Sequence, residues 1–132
     1  LAQATAGMSV TGTVEDIRPY LAEAALVVIP LRIGGGTRIK AYEAMAMQRA
    51  VLSTSLGIEG LPVIAGQHVE VADDAESFAE RAVKLLTDSA WRTRLGAAAR
   101  QFVELEGSWD LVAARFAAVC EEAVHTSRET AG

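Results

Sequence analysis

The sequence predicts an α/β fold in which a parallel sheet carries helices on its faces. Three observations lead there. Short apolar runs alternate with segments whose apolar residues recur at helical spacing. The run Leu26-Val27-Val28-Ile29 holds no polar residue, which suits a strand of a parallel sheet covered on both sides. A glycine triplet, Gly34-Gly35-Gly36, joins that run to a helical segment, the form of a strand-to-helix turn.

Met8 to Val14 reads as a first strand. Ile17, Leu21, Ala24 and Ala25 then fall on one helical face, and Pro19 sits in the first turn, where its missing N–H costs little. Leu26 to Ile29 is the second strand, Thr37 to about Met47 the helix after the glycines, Ala50 to Thr54 a third strand and Val69 to Ala72 a short fourth. Asp73 or Asp74 caps the next helix, and Asp73 with Glu76 has capping-box spacing. That helix turns Phe78, Ala82, Leu85 and Leu86 inward. Asp88 begins another, with Leu95, Ala98, Ala99 and Phe102 inward, and Gly107 ends it. Ser108 caps a last helix whose apolar stripe is Val112, Phe116, Val119 and Ala123. Trp91 and Trp109 start helices and are expected to pack, Cys120 reads as a small buried hydrophobe, and Ser127 to Gly132 has no pattern and is expected to fray. Gln48 stands where a helix end favours glycine, so a left-handed Gln at a cost of about 1 kcal/mol is expected.

A chain of 132 residues predicts one domain. Hydrophobic residues make up 51% and aromatics 5%, so aliphatic side chains must fill the core. The net charge is −5 and no basic cluster exceeds two or three residues, which argues against nucleic acid as a partner. A single cysteine excludes an intramolecular disulfide framework. No signal peptide and no apolar run of about 20 residues is present, and a cytoplasmic domain is expected.

The glycine triplet carries the chemistry. Its backbone turns sharply and can approach a ligand closely. The following helix aims unpaired N–H groups and its positive dipole end at the same place, so together they suit an anion, most simply phosphate. Arg32, Arg38 and Lys40 flank the loop, and a guanidinium pairs with phosphate bidentately. Arg38 is the strongest candidate, since it sits beside the glycines in the first turn, whereas Lys40 also reads as a solvated cation. Glu43 lies further along the same helix, where a carboxylate reaches sugar hydroxyls. Its Ala and Met neighbours suggest a half-buried position and argue against a plain surface charge. Glu59 follows the third strand, on the side of a parallel sheet where ligands gather, and reads equally as a contact or as a loop charge. Two familiar motifs are excluded by spelling. Lys40 lies four residues after Gly36, too far for a P-loop, and no third glycine completes a dinucleotide fingerprint after Gly34 and Gly36. His68 and His125 lie near no carboxylate cluster, so neither a metal site nor a general base is expected.

The stretch Pro30-Leu31-Arg32-Ile33-Gly34-Gly35-Gly36-Thr37-Arg38-Ile39-Lys40, with Glu43-Ala44-Met45-Ala46 after it, resembles the donor-nucleotide loop of the retaining glycosyltransferases of the GT-B fold, the group 1 or family 4-like sugar transferases. The likeness runs from Val10-Thr11-Gly12-Thr13-Val14 and Asp16, through Tyr20 and Ala24, to Thr54, Gly57, Glu59-Gly60-Leu61 and Ser108-Trp109-Asp110. It implies that residues 1–132 are a single partial domain. That domain would be the C-terminal, Rossmann-like donor-nucleotide-binding domain of a larger transferase, lacking its first strands. Leu1 to Gly7 then reads as the end of a helix, and two strands of the family order are missing between Val10–Val14 and Leu26–Ile29, along with a basic pair that grips the donor phosphates.

The implied function is transfer of a sugar, with retention, from a nucleotide-diphosphate sugar to a saccharide, lipid or other acceptor. The donor is a substrate, so no cofactor is expected. The implied donor site is Gly34, Gly35, Gly36, Thr37, Arg38 and Glu43, with Glu43 on the ribose and Arg38 on the diphosphate, and with Arg32, Lys40 and Glu59 as weaker members. No catalytic residue is assigned. Many relatives carry two glutamates eight positions apart, and here Gly35 stands in the earlier place. The implied partner is an N-terminal domain of the same enzyme. The chain alone is expected to be inactive, and to self-associate or close into a smaller sheet. A non-catalytic α/β nucleotide-binding or interaction module is the reading from another class, and a nucleotide-sugar epimerase of similar architecture a third.

Overall fold

A computed structural model describes residues 7–130. The chain is α/β: a three-stranded parallel sheet in the order β1-β2-β3, formed by Val27–Ile29, Val51–Ser53 and Glu70–Val71, with helices packed on it. Val27 pairs with Val51 and Ile29 with Ser53, and Leu52 pairs with Glu70. The helices are α1 (Arg18–Glu23), α2 (Ile39–Ala46), α3 (Ala75–Thr87), α4 (Ser89–Glu106) and α5 (Trp109–Thr130), and a 3-10 turn spans Leu56–Ile58.

The central strand β2 is buried throughout, and its alternation splits the core in two. Val51 joins Ala41, Ala44 and Met45 of α2, Val69, and Ala99 and Phe102 of α4. Leu52 joins Ala50, Ala72, Leu85 of α3 and Leu95 of α4, with Phe78, Ala82 and Trp91 against them. The length of α4 lets it serve both clusters. It also approaches the end of α2 closely: a Cβ on Gly96 would lie 2.4 Å from the Gln48 carbonyl oxygen. Gln48 has φ +58°, the left-handed helix end its position predicts.

Several expectations are corrected. Met8 to Val14 is no strand. It is irregular and exposed, Met8 by 72% and Val10 by 68%, and it pairs with no described strand. Nor does it move beside Val27–Ile29 to make a smaller sheet. With Met8 to Val14 unpaired, β1 is an edge strand among the described residues, and Val28 is 48% exposed instead of covered on both sides. Asp74, not Asp73, caps α3, accepting from the Ser77 N–H at 2.9 Å. Asp73 instead holds Ser55, accepting from its N–H and Oγ at 2.7 and 2.8 Å, and so ties β3's exit to the loop after β2. Leu86 is exposed. Asp88 caps α4 as expected, accepting from the Trp91 N–H at 2.8 Å.

The last helix departs most from its pattern. Ser108 does cap it, its Oγ accepting from the Leu111 N–H at 3.3 Å. Yet Val112, Phe116 and Val119 are exposed, as are Ala123 and Cys120, since no described element packs over this stripe. The helix runs on to Thr130, through most of the segment without apolar pattern. The side chains of Trp109 and of residues 127–130, residues 1–6 and residues 131–132 lie outside the described residues.

Candidate functional site

Two loops leave the carboxyl ends of neighbouring parallel strands and are fastened together. The loop after β1 carries Gly34, Gly35 and Gly36. The loop after β2 carries Thr54, the 3-10 turn and Glu59-Gly60-Leu61. The Thr54 Oγ1 donates to the Leu31 carbonyl at 2.6 Å, its N–H donates to the Ile29 carbonyl at 3.2 Å, and the Gly57 N–H donates to Thr54 Oγ1 at 3.1 Å. Ser53 Oγ donates to the Ile29 and Thr54 carbonyls at 3.3 and 2.9 Å. Ser53 and Thr54 are both buried, so these bonds sit in low-dielectric surroundings. Sequence reasoning did not foresee this fastening. A polar pair closing an apolar strand was its only signal.

The glycine loop is exposed, with φ +142° at Gly34 and +95° at Gly36, conformations that only glycine adopts without strain. It ends in α2, whose first residue follows Arg38. Among the described residues no side chain caps this end of α2, so its leading N–H groups and the dipole face outward.

Arg38 is the buried member of the site. Its side chain is 7% exposed, and its Nη2 donates to Glu59 Oε2 at 3.0 Å, a bond that joins the two loops. Its Nε is buried without a hydrogen-bond partner among the described residues. Glu59, at 68% side-chain exposure, supplies the counter-charge from the water side.

Glu43 is exposed, which corrects the half-buried reading. Buried Ala41, Ala44 and Met45 face the sheet, so the helical turn that buries them carries Glu43 outward. It does not face open solvent alone. Gly36, Thr37, Arg38, Ile39, Tyr42 and Glu43 from the loop and α2 make one wall of a cleft of about 950 Å³. Glu59, Gly60 and Leu61 make a second wall, and Val103, Glu106, Gly107 and Val112 from the junction of α4 and α5 a third. The cleft pairs apolar surface with three carboxylates. Glu59 is held by Arg38, and Glu106 accepts from Arg115 Nη2 at 2.8 Å, while the Glu43 carboxylate makes no hydrogen bond or ion pair with a described residue. A carboxylate so placed can accept from hydroxyls of a ligand.

Arg32 and Lys40 are exposed and do not line the cleft, and neither do Gly34 and Gly35. The structure therefore brings Gly36, Thr37, Arg38, Glu43 and Glu59 together and sets the two surface cations apart. The contribution of Glu106 and Val112 from the far end of the chain was invisible in the sequence.

His68 stacks on Phe102 with ring centroids 4.8 Å apart, and its Nδ1 accepts from the Ile64 N–H at 3.2 Å. Burial pushes its pKa down, since the charged imidazolium is poorly hydrated there. Among the described residues, no group of three or more His, Cys, Asp and Glu converges to hold a metal, and no helix is long and apolar enough to cross a membrane. The family model described as Glycosyl transferases group 1 matches residues 1–88, which take in both loops and all three strands. No curated protein and no solved structure matches the chain.

Proposed function

The chain belongs to the glycosyl transferases of group 1, and from that premise we propose that it is the donor-binding part of a glycosyltransferase of the GT-B kind. It holds a nucleotide-diphosphate sugar for transfer, with retention, to an acceptor bound chiefly by an N-terminal domain. The observation that carries this reading is that Gly36, Arg38 and Glu43 line one cleft beside the open start of α2.

In this reading the diphosphate lies at the end of the glycine loop. The N–H groups of Gly36 and Thr37 and the α2 dipole stabilise its charge, and Arg38 adds a charge-assisted contact. Glu43 accepts from the ribose hydroxyls about one turn further along α2. The same donors suit the diphosphate as it leaves, when its charge grows, and interactions that strengthen at that moment accelerate transfer. With Gly35 in the place of a glutamate, no carboxylate from this loop touches the donor sugar. Recognition of the sugar then falls to the rest of the enzyme. One observation favours the non-catalytic module as a second reading: Arg38 is already neutralised by Glu59 within the chain.

Calorimetric titration of the full-length enzyme with nucleotide-diphosphate sugars tests the proposal. Glu43→Ala should weaken donor binding by about 1–3 kcal/mol, the loss of hydrogen bonds to a desolvated diol. Unchanged affinity in a folded Glu43→Ala protein would return Glu43 to the role of a surface charge.

A further inference from the structure

We infer that the Arg38–Glu59 ion pair is an exchangeable one: the phosphate-class anion of the donor displaces the Glu59 carboxylate from Arg38 and releases the Glu59–Leu61 turn. This rests on the donor-binding reading above. The cleft carries an anion of its own, Glu59, in the place the ligand's anion takes.

The asymmetry of the pair comes first. Arg38 is 7% exposed at its side chain and Glu59 is 68% exposed. A buried guanidinium needs a counter-charge, and removing it without replacement is strongly unfavourable. Glu59 is under no such constraint, because most of its side chain is open to solvent while it is paired. Exchange of one anion for another keeps Arg38 neutralised and returns Glu59 to water.

The contact is also incomplete. Glu59 takes a single donor, Nη2, at 3.0 Å, while the buried Nε donates to nothing among the described residues. A phosphate bound side-on accepts from Nε and Nη together, the bidentate form in which guanidinium and phosphate match. An unmade hydrogen bond at a buried donor is costly, and side-on binding by a phosphate that has displaced Glu59 makes it. The carboxylate of Glu59, reaching across from the neighbouring loop, does not.

Position completes the case. Arg38 directly precedes α2, whose start has no side-chain cap among the described residues, so an anion there also meets the helix dipole. Gly60, at φ +79°, follows Glu59 immediately and gives the backbone a pivot, and the turn is held to the 3-10 segment by Leu61 N–H to the Ile58 carbonyl at 3.0 Å.

Titration of the chain with inorganic pyrophosphate separates exchange from a fixed strut. Glu59→Gln removes the internal competitor and should bind pyrophosphate at least tenfold more tightly than the wild type, and Arg38→Gln should not bind it. Equal or weaker binding by a folded Glu59→Gln protein overturns the exchange. Hydrogen exchange on the wild type covers the case in which that variant fails to fold. Amides of residues 59–61 should exchange faster with pyrophosphate bound, and slower or unchanged exchange overturns the inference. If the full-length wild type binds a nucleotide-diphosphate sugar while Glu59→Gln gains nothing, exchange alone fails. If neither nucleotide nor pyrophosphate binds wild type or variants, the donor reading fails with it.

Discussion

Gly96→Ala pits two effects of opposite sign against each other, and the geometry decides between them. Gly96 lies inside α4, where alanine is the better helix former by about 0.8–1.0 kcal/mol. On propensity alone the substitution stabilises. The added Cβ, however, would stand 2.4 Å from the Gln48 carbonyl oxygen, 3.1 Å from its carbon and 3.4 Å from the Ala50 nitrogen. All three are backbone atoms at the exit of α2, so no flexible side chain can swing aside. Relief requires α4 to retreat from α2. That loosens Ala99 and Phe102 against Met45 and lengthens the bond from the Arg100 guanidinium to the Ala46 carbonyl. Overpacking of this kind costs about 1–3 kcal/mol. The shift needed here is close to an ångström, which places it at the upper end, and subtracting the propensity gain leaves a net loss of about 1–2 kcal/mol. Urea unfolding of the purified chain measures this as a lower midpoint with an unchanged slope. A midpoint at or above that of the wild type would refute the close approach of α4 to the end of α2, and with it the placing of the α4–α5 junction over the cleft.

Three further expectations follow from the same structure. Gln48→Gly should raise stability by about 1 kcal/mol, because glycine adopts φ +58° without the side-chain clash, and an unchanged unfolding midpoint would show that Gln48 is not strained. The His68 pKa is depressed by burial, so its contribution to stability is present above the ordinary histidine pKa of about 6.5 and is lost as pH falls through the lower folded value. His68→Asn, which keeps an acceptor for the Ile64 N–H but does not titrate, should flatten that loss in unfolding midpoints taken between pH 7.5 and 5. An equally steep decline would assign it to other groups. The edge of β1, unpaired among the described residues, and the exposed stripe Val112, Phe116 and Val119 should make the purified chain self-associate at micromolar concentration, and Phe116→Ser should weaken this; a monomer in sedimentation would show that hydration tolerates both surfaces.

The parallel α/β class, the order of the elements from β1 onward and the glycine loop were legible in the sequence, because each rests on neighbours along the chain. A run without polar residues, a glycine that frees φ and an aspartate three residues before an amide act locally, and the pattern of residues 26–106 records them. The left-handed Gln48 was legible for the same reason. What only the tertiary structure decided is which surfaces find a partner. Among the described residues Met8–Val14 has a strand's composition but no ladder, and α5 has an amphipathic stripe but no face to bury it against, since burial needs a second surface that no local pattern supplies. The same holds for the site. Arg38 and Glu59 are 21 positions apart, and Glu43 lines the same cleft as Glu106 and Val112, which lie far along the chain. Charge type is written in the sequence, whereas the pairing that buries Arg38 and leaves its Nε unsatisfied arises only when two strand ends are brought side by side.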